Sequence, residues 1–132
     1  MTRNPRRQLR GDAGYSVLEA AITLPVIFLL TMFIVQWAIV WHARHVAEAA
    51  AQEALRTAEA YASSAAAGRQ DGAAFLSQTA PHMLLHPVIT VHRSATGVEV
   101  HVHATVRSVV PFGSWSVDAD AAGPVERYVS TP

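Results

Sequence analysis

Acid–base or metal chemistry in this chain of 132 residues rests on seven histidines and ten carboxylates, because cysteine and lysine are both absent. His101 and His103 alternate with valines on one expected strand and His92 stands on its neighbour, so three imidazoles share a strand face with Glu99 beside them. That geometry permits metal ligation. The face is the polar one, however, and the spacing matches no distinctive zinc pattern, so no metal is expected and an acid-responsive charge is the better reading. Asp118 and Asp120, two apart, share a face as paired carboxylates can, yet no segment around them builds a pocket. They read as solvated edge residues. The G-x-S-x-G elbow, the G-x-G-x-x-G turn and the phosphate-binding loop are all missing from the sequence. Neither an enzyme nor a cofactor is expected.

One carboxylate is in an unusual place. Glu19 interrupts an apolar pattern that starts at Val17-Leu18 and continues from Ala20 to Trp41, 22 residues without a formal charge. As a helix at ~1.5 Å per residue that run covers ~33 Å, enough for a hydrocarbon layer of ~30 Å. Arg3, Arg6, Arg7 and Arg10 precede it and only Arg44 follows closely, which puts the N-terminus in the cytoplasm and the C-terminal part outside. Trp37 and Trp41 are placed as interfacial rings near the outer end. A glutamate at the edge of lipid is either held at headgroup level, favoured by the helix dipole, or answered by a partner charge.

The elements beyond the span follow from composition and period. His42 to Ala62 holds no Gly or Pro and is rich in strong helix formers, so one helix is expected from Ser16 to Ala62. Arg44 with Glu48, Gln52 with Arg56 and Arg56 with Glu59 fall at helical neighbour spacings. Ala50, Ala54, Ala58 and Ala62 form a row of small side chains suited to packing against a neighbouring helix. Residues 63–72 read as a linker closed by Asp71 as an N-cap, and a short helix is expected from Gly72 to Ala80. From Pro87 the period switches to two: Ile89 and Val91, then Val98 to Val106, form a hairpin turned by Ser94 to Gly97, with positive φ available at Gly97. A third strand is signalled by Trp115, Val117, Ala119 and Ala121, and the tail from Gly123 is an edge or a disordered end. The expected fold is α+β: a long membrane-spanning helix continuing as a stalk, a short second helix and a small antiparallel three-stranded sheet. Its parts are a basic leader at 1–14, helix and stalk at 15–62, the linker at 63–72 and a small outer domain at 73–132.

The run Arg10-Gly11-Asp12-Ala13-Gly14-Tyr15-Ser16-Val17-Leu18-Glu19 ahead of an apolar segment resembles a type IV prepilin leader. With Pro25 six residues after Glu19, and Ala51-Gln52-Glu53-Ala54-Leu55-Arg56 beyond the span, residues 14–58 resemble the TadE-like family of tight-adherence pilus systems. The resemblance implies cleavage between Gly14 and Tyr15 by a prepilin peptidase, and roles in assembly and register for Glu19 and Pro25. It implies a minor pilin or pseudopilin, working with major and minor pilins, inner-membrane platform proteins and membrane lipid, located in the cytoplasmic membrane, with entry into the pilus itself left open. Tyr15 departs from the Phe common at the first mature position, and Ala54-Leu55 from a more usual Gly-Ala pair. No nucleic-acid partner is expected, since no long like-charge run appears.

Two other outcomes compete. One is a single-span binding module unrelated to pili. The other is a secreted domain of roughly eighty residues, released by cleavage at the small-x-small site Ala47-Glu48-Ala49.

Overall fold

The computed structural model describes residues 9–127. Helix α1 runs over Leu9–Glu59 and helix α2 over Ala65–Thr79; strands β1 (Leu84–Arg93), β2 (Gly97–Val106) and β3 (Trp115–Pro124) form one antiparallel sheet in the order β1-β2-β3. The α+β architecture is the expected one. The basic head at Arg3, Arg6 and Arg7, and the tail beyond Arg127, lie outside the described residues.

Two layers make the packed part of the molecule. The outer half of α1 lies across β2 and β3, while α2 lies beside it against β1. Strand alternation sends Val98, Val100, Val102, Ala104 and Val106 of β2, with Val117, Ala119 and Ala121 of β3, into the layer between. From α1 come Ala43, Val46, Ala47, Ala50, Ala51, Ala54, Leu55 and Ala58, all buried. Alanines bury little area apiece, so their value here is to let the helix axis sit close to the strands, where dispersion contacts accumulate. The other sheet face is exposed and polar, as its period of two requires.

Helix boundaries differ from expectation at three points. Helix α1 begins at Leu9, inside the expected leader, because propagation from a long apolar helix outweighs about 1 kcal/mol for each of Gly11 and Gly14. It ends at Glu59 rather than Ala62. Ala62 takes φ 61, the chain reverses, and the last turn's carbonyls are claimed from elsewhere: Arg93 Nε donates to Ala58 O at 2.8 Å and Glu126 N to Glu59 O at 3.0 Å. The supposed linker at 63–72 is largely helix. Ser64 is the N-cap of α2, its hydroxyl accepting from Ala67 N at 3.1 Å, and Asp71 is instead a mid-helix residue whose carboxylate accepts from Thr57 Oγ1 at 2.7 Å.

The reason α2 starts so early lies in its glycines. Gly68 and Gly72 face α1 so closely that a Cβ built on Gly68 would stand 2.5 Å from Ala54 O and 2.8 Å from Ala58 Cβ. On Gly72 it would stand 3.0 Å from Ala54 Cβ and 3.3 Å from Ala50 O. The alanine row at 50, 54 and 58 is therefore occupied within the chain, as the seat of α2, and Ala62 has left the helix. A lateral surface for neighbouring subunits is not what those three residues provide.

Smaller corrections follow the same logic. Strand β1 begins at Leu84, and the register slips between Leu85 and Val88, where His86 has φ 50 ahead of Pro87. The turn at Ser94 is held by hydroxyl bonding to Gly97, not by a left-handed glycine; the positive φ belongs to Gly113, at 88°. Arg44 pairs with Glu48 at 3.1 Å as expected, while Arg56 takes Glu53 at 3.5 Å instead of Glu59. The tail from Gly123 to Arg127 is partly an edge strand and partly tied down, with Arg127 donating to Ala95 O at 3.0 Å.

Candidate functional site

Every residue from 14 to 31 is exposed, and the exposed set on α1 includes Leu18, Ile22, Leu24, Val26, Ile27, Phe28 and Leu30. A helix apolar all round and covered by nothing among the described residues is the arrangement suited to lipid or to a bundle of like helices. It is long and apolar enough to cross a membrane. A buried core helix would show the opposite pattern of exposure.

The four residues singled out in the sequence occupy this bare half. Gly14 and Tyr15 lie within the helix, Tyr15 78% exposed, and a Cβ on Gly14 would meet nothing within 4 Å. Backbone in extended form at Gly14 would require the first turns to unwind, and glycines at 11 and 14 lower that cost by about 1 kcal/mol each. Glu19 is exposed one turn beyond Tyr15, on the same helix side, and among the described residues no side chain pairs with it. Pro25 sits inside α1, which continues through it, and Thr31 returns its hydroxyl to Ile27 O at 2.9 Å.

The bare half ends sooner than the charge-free run does. Gln36, still within that run, is fully buried: its Oε1 accepts from Val109 N at 2.7 Å and its Nε2 donates to Arg107 O at 3.5 Å. Three residues earlier the Phe33 ring meets Phe112, centroids 5.7 Å apart and planes tilted 56°. The β2–β3 loop thus grips the helix inside its apolar segment. A lone amide in an apolar run was the available signal, and its partner lies 73 positions away. Trp37 and Trp41 point outward, 70% and 59% exposed, one turn apart.

A second cluster sits on the open sheet face. Register sets His101 opposite Asp120 and His103 opposite Asp118, and the imidazoles donate through Nδ1 at 2.5 Å and 2.6 Å. His101 Nε2 also lies 3.6 Å from Asp118, which links the two pairs. His92, on β1, is across from Glu99 of β2 and stays outside this ladder. Among the described residues no three groups converge as a metal site would require, so His92, His101 and His103 are not brought together as a ligand set. The two sequence features, histidines on β2 and aspartates on β3, are one ladder once the register is known.

The hydrogen bond to Asp120 raises the His101 pKa above its ordinary 6.5; slight desolvation opposes it, and the charges of Asp120 and Asp118 add to it. A raised folded-state value means the pairing stabilises the sheet below the ordinary pKa and is lost as pH climbs through the folded one. We expect a titration of the imidazole resonances to place His101 above 6.5, and Asp120→Asn to bring it back toward that value. An unmoved His101 in the variant would break the assignment.

No curated protein and no solved structure matches the chain. What does match is the part just described, the bare half of α1 and most of its packed half: residues 14–56 fit the family model described as TadE-like protein.

Proposed function

We propose that this chain is a structural, pilin-like component of a Tad-type pilus assembly system. It is anchored in the cytoplasmic membrane by α1 with its N-terminus inside, is trimmed by a prepilin peptidase between Gly14 and Tyr15, and acts with major and minor pilins and the membrane platform as a minor pilin or pseudopilin. The observation that carries this is a single helix divided in two, bare and apolar over residues 14–31 and packed on a sheet over residues 43–58, with the TadE-like match spanning the division. A bare apolar helix held upright by a small sheet domain is what a filament subunit needs, since like helices bundle inside and the domains face out.

The same division weighs against a secreted product. A cut after Ala49 would remove Ala43, Val46 and Ala47, which cover the membrane-proximal part of the sheet. That would strip a face of valines and leave it wet, at about 25 cal/mol for each Å² exposed. Among the described residues the buried core begins at Ala43, far beyond Gly14.

N-terminal sequencing of protein recovered from cells with and without a co-expressed prepilin peptidase tests the proposal. The expected product begins at Tyr15 and appears only with the peptidase. An end that stays at the initiator supports the plain membrane anchor instead, and one near Ala50 supports the secreted domain.

A further inference from the structure

We propose that the β2–β3 loop is a second membrane contact, in which Val109, Pro111 and Phe112 seat in the outer leaflet beside α1 while Gln36 clasps the loop's backbone. This rests on the reading of α1 as a membrane span. Three observations carry it.

The first is position. Phe33 lies 14 residues after Glu19, which is ~21 Å along the helix, whereas the hydrocarbon layer extends ~30 Å. With Glu19 at the inner boundary, Phe33 and the Phe112 ring packed on it lie ~9 Å below the outer boundary, within the ~5–10 Å that interfacial apolar groups reach.

The second is the loop's surface. Val109 and Phe112 are 41% and 54% exposed and Pro111 is exposed, and on α1 next to Phe33 the apolar Ile34 and Val35 are exposed as well. Arg107 at the loop's start directs its Nε to His82 O, and Trp37 and Trp41 flank the helix one and two turns further out. Apolar tips below, indoles and an arginine above, is the order found across a membrane interface.

The third is that the loop's polar backbone is answered in part by side chains of the helix and of the loop itself. Irregular chain enters lipid only if its N–H and C=O groups are answered. Gln36 answers Val109 N and Arg107 O, and Ser108 Oγ answers Val110 O at 2.9 Å. The exchange is mutual, since an amide on a span is itself costly in lipid.

The absence of cysteine makes a clean test possible. Full-length chains carrying Pro111→Cys, Ile27→Cys or Ala95→Cys are labelled with an environment-sensitive fluorophore and reconstituted in phosphatidylcholine–phosphatidylglycerol vesicles, with nitroxides placed near the headgroup or near the acyl-chain end. The label at position 111 is expected to shift blue and to be quenched several-fold more by the shallow nitroxide than by the deep one. At position 27 the deep nitroxide should win. At position 95, in the turn at the far end of the sheet, neither should act. Adding Phe112→Asp to the Pro111→Cys chain should return its label to a water-like spectrum while the sheet stays folded. A water-like label at 111 beside a quenched one at 27 overturns the loop contact and leaves the span intact. Lack of quenching at 27 overturns both. A blue shift at 111 without quenching by either nitroxide, lost as protein is diluted into lipid, overturns it in favour of contact between copies of the chain.

Discussion

Replacing Gly68 by alanine is expected to destabilise the outer domain, although alanine is the better helix former. In an exposed helix interior the change gains about 1 kcal/mol. Here the new methyl would stand 2.5 Å from Ala54 O and 2.8 Å from Ala58 Cβ, against backbone that is itself in a helix and has no rotamer to change. Overpacking of this kind costs typically about 1–3 kcal/mol, and the backbone contact puts the site at the upper end. The net loss is about 2 kcal/mol, a fall in Tm of roughly 8–16 °C for a domain of this size. Thermal unfolding of the detergent-solubilised chain, followed by the sheet signal, reads it. Gly72→Ala provides the contrast, since its contacts at 3.0–3.3 Å need only a few tenths of an ångström and its helix gain nearly cancels the cost. Equal or raised Tm for Gly68→Ala would mean that α2 does not sit this close.

That glycine pair also marks the limit of what period and composition reveal. Residues 63–72 look like a linker because glycine and serine punctuate helices, and on local propensity that reading stands. The close approach of Ala54 overrides it: glycine is placed in α2 for the partner it meets, not for the freedom it gives the chain. The alanine row was legible as a packing surface, but sequence alone names no partner for it. Strands were easier, because alternation over Val98–Val106 states both period and buried face, and each buried position is one that alternation marks.

The site divides the same way. Gly14, Glu19 and Pro25 are legible because they depart from an apolar background, and the residues that frame them are local. The His–Asp ladder needed the β2–β3 register, which depends on how the loop from Arg107 to Ser114 closes. Gln36 depended on the same loop. In a charge-free stretch of 22 residues it looks like a tolerated amide, and only the fold shows that a loop of the same chain covers this part of the stretch. Helix length measured by charge-free residues therefore overstates the part that the fold leaves bare.

The largest effect on assembly is expected from Glu19→Ala. Trimming at Gly14 would leave a positive α-amine on Tyr15, four residues before Glu19 on the same side of α1, so each subunit presents one cation and one anion a single turn apart. Within one helix the pair is satisfied at short range only at the lipid edge. Between two helices displaced along a filament axis, the amine of one would meet the carboxylate of the next, and a register slip of either would leave both charges unanswered. Removing one member of a buried pair costs about 3–5 kcal/mol, because the partner charge stays behind, which corresponds to at least a hundredfold in association. Insertion should not suffer, since alanine is the cheaper residue in lipid. The variant is therefore expected in the membrane, correctly trimmed and folded, yet lost from complexes captured through the major pilin. Glu19→Gln separates charge from shape: it keeps the size of the side chain and should fail as Glu19→Ala does. Capture equal to the unaltered chain for both variants would show that the carboxylate answers no amine, and a membrane fraction emptied of Glu19→Ala would show that its work is insertion, not register.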